Sequence, residues 1–312
     1  LLSGGVGGAR MARGLAAVLE PQNFTVVVNV GDDDVLYGVH VSPDLDTVMY
    51  TLADVEGPFG WGRRNDTFEV MDGMAALGVD TTFRLGDLDL ATCLNRTTHL
   101  NQGIPLSTFT ASLSDTLGVA IRVLPATNDI LRTRIQTKDN EWLSFQNYFV
   151  LRSHQDQVKN IHFSGAAECL PAPGVLKAVA AATAVVIAPS NPPLSIWPIL
   201  AIPALRKSIA EKPIVIAVSP LFKGQALKGP TTSVMASLGL PAGNTGVLAA
   251  YEGLITHLVV DNDDYEDIAK LSTPNIDISA FDTRIENATG GTSLGSEILR
   301  IVDNAHRKTD IR

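Results

Sequence analysis

The sequence has only two cysteines, Cys93 and Cys169, and neither belongs to a Cys-x-x-Cys pair. That excludes a disulfide framework and a thiolate zinc site. Basic charge is scarce as well: 24 Lys and Arg stand against 33 Asp and Glu, a net charge of -9. No basic stripe is available to neutralise a phosphate backbone, so no nucleic-acid partner is expected. Long apolar runs are missing too. The longest, 175–189, is interrupted by Lys177 and is too short to span a bilayer, so no membrane span is expected. No internal repeat, low-complexity tract or secretory leader is read, and the very short first strand suggests residues ahead of Leu1. The reducing cytoplasm is the expected compartment.

What is present suits a soluble α/β enzyme. The 312 residues are 45% hydrophobic and 18% charged, enough for a large core in one domain or two. The opening stretch organises the rest. Leu2-Ser3-Gly4-Gly5-Val6-Gly7-Gly8-Ala9-Arg10 places four glycines within five positions, ahead of a helical run at 11–19. Without Cβ atoms such a turn brings backbone N–H groups close to an anion, and the helix adds a partial positive charge. A phosphate is the natural guest. The turn lacks the Gly-Lys-Ser/Thr ending of a P-loop and matches Gly-x-Gly-x-x-Gly poorly, so a tight turn without a ligand is the competing reading.

A β-branched run at 24–30 reads as a buried parallel strand. Beyond it come Gly31-Asp32-Asp33-Asp34 and Ser42-Pro43-Asp44-Leu45-Asp46-Thr47, five carboxylates in fifteen residues. In open α/β sheets ligands bind at this C-terminal strand edge, and carboxylates facing a phosphate turn suit Mg²⁺. Asp44 reads equally as a helix N-cap or a ligand; for Asp46 function leads. Trp61 lies between two glycines beside Arg63 and Arg64, and a short strand at 82–85 leads into Gly86-Asp87-Leu88-Asp89. Helices are expected at 69–77, at 90–102 and from Ser107, taken as an N-cap. The stretch 119–152 alternates as antiparallel strands do, with a turn at 138–140. Strands at 184–189, 213–220 and 258–261 then resume with helices between them, including one over 199–211. A basic glycine loop spans 223–230, and a tail from Thr273 ends in a helix at 294–305. The expected architecture is therefore a single domain over 1–312, a Rossmann-like doubly wound, mostly parallel sheet, with a β-rich insertion at about 119–152.

The glycine turn, Asn29-Val30-Gly31-Asp32-Asp33, Ser42-Pro43-Asp44-Leu45-Asp46-Thr47, Gly86-Asp87-Leu88-Asp89-Leu90-Ala91-Thr92 and Ala188-Pro189-Ser190-Asn191-Pro192 resemble the 2-phospho-L-lactate transferase family of coenzyme F-420 biosynthesis. The resemblance runs from Leu1 to about Asp261. It implies that the ribityl hydroxyl of a deazaflavin attacks a guanosine diphosphate ester of a three-carbon acid, with Mg²⁺ as cofactor and GMP leaving. Under it Gly4, Gly5, Val6, Gly7, Gly8 and Arg10 cradle the diphosphate, and Ser190 and Asn191 contact the nucleotide. Asp46, Arg84 and Asp87 face the deazaflavin. Asp32, Asp44 and Asp46 are the metal-ligand candidates, and Asp46 with Asp32 the catalytic ones. The partners implied are small molecules, with a homodimer as the expected assembly. The chain departs from the family pattern at Leu88, Cys93 and Trp197, where Arg, His and Gly are usual. Lactate, enolpyruvate and glycerate all remain open as the acid. A non-catalytic nucleotide-sugar-binding regulator is the main rival. A Rossmann oxidoreductase is weaker, since Asn29-Val30-Gly31 and three Asp replace the lone ribose-binding acid.

Overall fold

Short Val- and Ile-rich runs set the frame of the computed structural model, which describes residues 1–227, 229–271 and 274–310. Lys228 of the expected basic loop and Thr273 at the start of the expected tail lie outside the described residues. In chain order come β1 (Leu2–Ser3), α1 (Gly5–Ala16), β2 (Thr25–Val28), β3 (Asp34–Leu36), β4 (Val39–Val41), α2 (Pro43–Leu52), α3 (Glu69–Ala76), α4 (Asp87–Asn101) and α5 (Leu106–Leu117). Then follow β5 (Arg122–Pro125), β6 (Arg132–Thr137), β7 (Trp142–Ser144), β8 (Val158–Ser164), α6 (Val175–Ala181), β9 (Val185–Ile187), α7 (Trp197–Leu200), α8 (Pro203–Ala210) and β10 (Val215–Val218). The last are β11 (Leu221–Phe222), β12 (Gln225–Ala226), α9 (Thr231–Ser237), α10 (Gly243–Ala250), β13 (His257–Asp261), α11 (Ile268–Leu271), β14 (Asp277–Phe281) and α12 (Ala288–Asp310).

Among the described residues seven strands pair in the order β14-β13-β10-β9-β1-β2-β5, every neighbour parallel. All four residues of β10 are 0% exposed, as a sheet covered on both faces requires. From β1 the chain moves to β2 and β5 in one direction; from β9 it moves through β10 and β13 to β14 in the other. With right-handed crossovers the connecting helices lie on opposite faces, and the order reverses between β1 and β9. That reversal is where a doubly wound sheet opens a ligand crevice. The glycine turn follows β1, and Ser190-Asn191 follows β9. A satellite core of Val39, Val41, Met71, Leu85, Leu90 and Cys93 joins the β3–β4 hairpin to α3 and α4 beside that crevice. No helix among the described residues is long and apolar enough to cross a membrane.

Several local expectations change. The glycine run does not precede α1 but forms its first turn. Residues 82–85 form no strand. Pro105, not Ser107, stands at the N-cap of α5. The helix expected over 199–211 breaks into α7 and α8 ahead of Pro203, whose ring cannot continue a helix. The antiparallel piece is displaced: 121–125 contributes β5 to the main sheet, and 147–151 is helical. The antiparallel sheet is β7-β6-β8, reaching Ser164. Alternation marks a strand but not its partner, and β5 pairs in parallel with β2 rather than with the antiparallel strands that follow it.

The final helix also starts earlier than 294 and takes in Gly290 and Gly291. The reason is a close crossing with α1. A Cβ on Gly14 would lie 2.3 Å from the Gly291 carbonyl oxygen. Gly14→Ala should therefore cost about 1–3 kcal/mol through overpacking. Gly73→Ala, in exposed α3 with nothing within 4 Å of the added Cβ, should gain about 0.5–1 kcal/mol. Urea unfolding of both variants checks the pair, and equal effects would remove the crossing from the account.

Candidate active site

The first turn of α1 sits too close to the end of β9 for side chains. A Cβ on Gly8 would fall 2.4 Å from Ser3 Oγ and 2.7 Å from Ser190 Oγ, and Gly5 takes a left-handed φ of 63°. The Ser190 hydroxyl donates to the Gly4 carbonyl at 2.7 Å and accepts from the Gly4 N–H at 3.3 Å. Asn191 caps the following turn, its Oδ1 accepting from Leu194 N–H at 3.1 Å. These two residues hold the glycine turn in place. Val6 and Gly7 occupy first-turn positions, whose N–H groups have no intrahelical partner. Arg10 lies elsewhere: its Nη1 donates to the Ile285 carbonyl at 2.9 Å, one helical turn below the glycines. The six expected cradle residues thus divide, with Gly4 to Gly8 in the turn and Arg10 outside it.

Asp44, in the first turn of α2, reaches across to this turn. Its Oδ1 accepts from Gly5 N–H at 2.6 Å, and its Oδ2 accepts from Asn29 Nδ2 at 2.9 Å. The same Asn29 amide donates to Asp32 Oδ1 at 3.1 Å, while Asn29 Oδ1 accepts from Gly31 N–H. Asn29 is therefore the hub of the cluster. Asp33 accepts from Ser42 Oγ at 2.8 Å and lies 2.9 Å from His40 Nε2, but its Oδ1 is buried without a partner among the described residues. Gln146, from the segment after β7, donates to the Asp32 carbonyl at 2.7 Å and anchors the acidic loop.

Burial and like charge dominate the electrostatics here. Asp32, Asp33 and Asp44 are all buried. Burial, then the charges of Asp44 and Asp33, pushes the Asp32 carboxyl well above the ordinary range. Asp44 is pushed up to about 6 by burial, opposed by the Asn29 amide and the Gly5 N–H. A cation beside these oxygens would relieve both effects.

Asp46 belongs to a different network. It is buried against Arg96, itself only 1% exposed, whose Nη2 donates to Asp46 Oδ1. Arg96 Nη1 also donates to the His40 carbonyl at 3.2 Å, and the guanidinium lies 5.3 Å from the Phe109 ring centre. Tyr50, one turn after Asp46, donates to Asp89 Oδ1 at 2.9 Å. Burial, then the Asp46 charge, raises the Asp89 carboxyl to about 7. Ligand atoms of Asp46, Asp89 and Cys93 lie within 4.8 Å of one another. The metal-ligand trio expected from the sequence is thus divided: Asp32 and Asp44 share one amide, while Asp46 is charge-paired.

Arg84 and Asp87 have other partners. Arg84 Nη2 pairs with Asp72 at 2.6 Å, and its guanidinium lies over the Phe68 ring. Asp87 accepts from Thr67 Oγ1 at 2.5 Å and from the N–H groups of Glu69 and Val70, which caps α3. The Thr67 hydrogen bond holds its carboxyl below the ordinary range. Asp66 reciprocates by accepting from Leu88 and Asp89 at the start of α4. Sequence reasoning missed Asn29, Tyr50 and Arg96 as site residues. Asp89, Cys93 and Arg96 at spacings of four and three share one face of α4, a signal available in the sequence.

Residues 1–290 match the family model described as 2-phospho-L-lactate transferase CofD. The chain belongs to the CofD family. It is 35% identical over 310 residues to a phosphoenolpyruvate transferase of Streptomyces griseus, covering 97% of this chain and 98% of that protein. It is 33% identical over 306 residues to a 2-phospho-L-lactate transferase of Methanopyrus kandleri, covering 97% of each. A crystal structure of a upf0052 family member from Bacillus halodurans shares the fold, with a TM-score of 0.66 at 16% identity, over 96% of this chain and 97% of that one. The three departures from the CofD pattern have distinct settings. Leu88 is exposed, and Cys93 is fully buried with Arg96 Nη1 at 3.9 Å from its sulfur. Trp197 donates its indole N–H to the Ala250 carbonyl at 3.0 Å and so ties α7 to α10.

Two measurements probe these networks. The folded value of Asp44 lies above the unfolded one, so the native state binds the extra proton. Stability from this group is full below about pH 4 and is lost as pH rises to about 6, on the order of 3 kcal/mol. Asp44→Asn should flatten that part of the stability-against-pH curve; an unaltered slope removes Asp44 as its source. Asp46→Asn strands the buried Arg96 charge and should cost about 3–5 kcal/mol in chemical unfolding, with part recovered by adding Arg96→Met.

Proposed function

We propose that this chain transfers an enolpyruvyl phosphate group from its guanosine diphosphate ester to the ribityl hydroxyl of a deazaflavin, in F-420 biosynthesis. A phosphodiester forms and GMP leaves. The observation that carries this reading is the convergence of the α1 N-terminus and the Asp32–Asp33–Asp44 cluster at the point where strand order reverses. Membership of the CofD family supports a transferase. Relatives named phosphoenolpyruvate transferase at 34–38% identity favour enolpyruvate as the acid. The 2-phospholactyl group is the alternative, supported by relatives of that name at 30–33% identity.

The donor set fits Mg²⁺. Its oxygens are hard, Asp33 Oδ1 is buried without a partner among the described residues, and burial with like charge raises the Asp32 carboxyl. Asp32 and Asp44 would hold the ion, with Asp33 beside them. When bound, Mg²⁺ would neutralise charge on the diphosphate oxygens. The Val6 and Gly7 N–H groups, left without intrahelical partners in the first turn of α1, would orient the diphosphate and meet negative charge as it develops on the leaving phosphate. Asp46, fixed by Arg96, would accept a hydrogen bond from the attacking hydroxyl and orient it. Burial raises its carboxyl, and the Arg96 charge opposes that shift. A strong base is not required, because phosphoryl transfer rests mainly on positioning and charge stabilisation.

Incubation with the deazaflavin, Mg²⁺ and each guanylylated acid, read by mass spectrometry, tests the reaction. The enolpyruvyl product and GMP are expected; formation of neither phosphodiester would end the assignment. Asp32→Asn should lower kcat by about 10²–10³ while leaving the melting temperature unchanged or higher, since it relieves like-charge crowding.

A further inference from the structure

Asp46 and Asp89 stand close together in opposite surroundings. Asp46 comes from the first turn of α2 and Asp89 from the first turn of α4, and a carboxylate oxygen of each lies within 4.8 Å of the other. Hydroxyl-to-carboxylate hydrogen bonds are about 2.7 Å long, so one hydroxyl oxygen placed between the two can meet both.

The two carboxylates cannot serve it in the same way. Buried Arg96 donates to Asp46 Oδ1 and balances its charge, which disfavours a proton there. No cation is bonded to Asp89. Its Oδ1 accepts from the Tyr50 hydroxyl at 2.9 Å, while its Oδ2 accepts from no group among the described residues and is not sealed from the surface. The residue is held firmly all the same. Its N–H donates to Asp66 Oδ2 at 3.1 Å, and the fully buried Tyr50 has the Arg63 guanidinium 5.2 Å from its ring centre. One oxygen is thus fixed and the other left free.

The groups facing Asp89 are Asp46 and Tyr50 from α2, Cys93 and Arg96 from α4, and Asp66 from the segment before α3. Burial pushes the Cys93 thiol up, so it stays neutral. Burial, then the Asp46 charge, raises the Asp89 carboxyl to about 7, with Asp66 acting the same way and Tyr50 and Arg96 opposing. A carboxylate in that range is both ionised and basic near neutral pH, which general-base catalysis requires.

We infer that Asp89 is the catalytic base of the transfer, its Oδ2 taking the proton of the attacking ribityl hydroxyl while Asp46 orients it. The inference rests on the transferase reading above. As the hydroxyl oxygen bonds to the phosphorus carrying the three-carbon acid, its proton passes to Asp89. The bond from that phosphorus to the GMP oxygen breaks, and GMP leaves with the electron pair. Asp89 then returns its proton to solvent.

Single-turnover transfer by the full chain at saturating Mg²⁺, followed from about pH 5.5 to 9, tests this assignment. The wild-type rate should rise with pH through about 7 and then level, because Asp89 must be ionised to accept a proton. Asp89→Asn should lower the rate about 10²–10⁴-fold and abolish that rise. Tyr50→Phe removes a hydrogen bond that favours the ionised form, so the rise should move up by about one pH unit. A purely structural role for Tyr50 and Asp89 would leave its position unchanged. An Asp89→Asn protein that keeps the wild-type rate overturns the inference, and so does a Tyr50→Phe profile that superimposes on the wild-type one. If the wild-type protein forms no phosphodiester from any guanylylated acid, the transferase reading falls and this inference with it. Transfer indifferent to Asp89 and Tyr50 removes only the base.

Discussion

One carboxylate links the two halves of the site. Asp44 accepts from Gly5 at the opening of α1 and from Asn29 at the end of β2, so the glycine turn and the acidic loop are joined through it. The helix N-terminus supplies partial positive charge, which makes a buried carboxylate tolerable there. That charge does not cover all the oxygens present. Asp32 and Asp33 are buried in the same space, and Asp33 retains an oxygen without a partner among the described residues. The protein holds more negative charge at this point than its own donors satisfy. Such an arrangement lowers stability and favours a cationic guest.

The neighbouring carboxylate shows the contrasting solution. Asp46 lies two residues from Asp44 but meets a full positive charge, the buried Arg96. Removing either partner would leave an uncompensated charge inside the protein, so each side chain depends on the other. An open carboxylate cluster and a closed ion pair thus stand side by side on one helical turn. Tyr50 and Asp89 extend the closed network towards α4, and the reciprocal caps of Asp66 and Asp87 fix α3 against α4.

The scaffold explains why these groups meet. Strand order reverses between β1 and β9, so the segments leaving these strands diverge and open a crevice. The glycine turn enters it from β1, the acidic loop from β2, and the Ser190-Asn191 turn from β9. Close contacts at Gly8 keep the helix start on the strand end, and the Gly14–Gly291 crossing fixes α1 against the final helix. Side chains at these places would move the amide donors away from the carboxylates.

The parallel sheet, the strand-to-helix turn and the acidic loop were legible in the sequence, because each is encoded by neighbouring residues. Runs of Val and Ile specify strands, glycines permit the close turn, and the Pro43-to-Thr47 segment starts a helix with its acids in the first turn. The antiparallel piece was visible as alternation, but its boundaries were not, since alternation does not reveal which strand lies alongside. Charge partnership was decided only by tertiary structure. Arg96 lies fifty positions from Asp46, Asn29 divides its amide between two aspartates, and Arg10 turns to a carbonyl 275 residues away. Spacing along the chain sets which face a side chain occupies. Packing across the fold sets what it meets there, and so which aspartates are neutralised and which remain open.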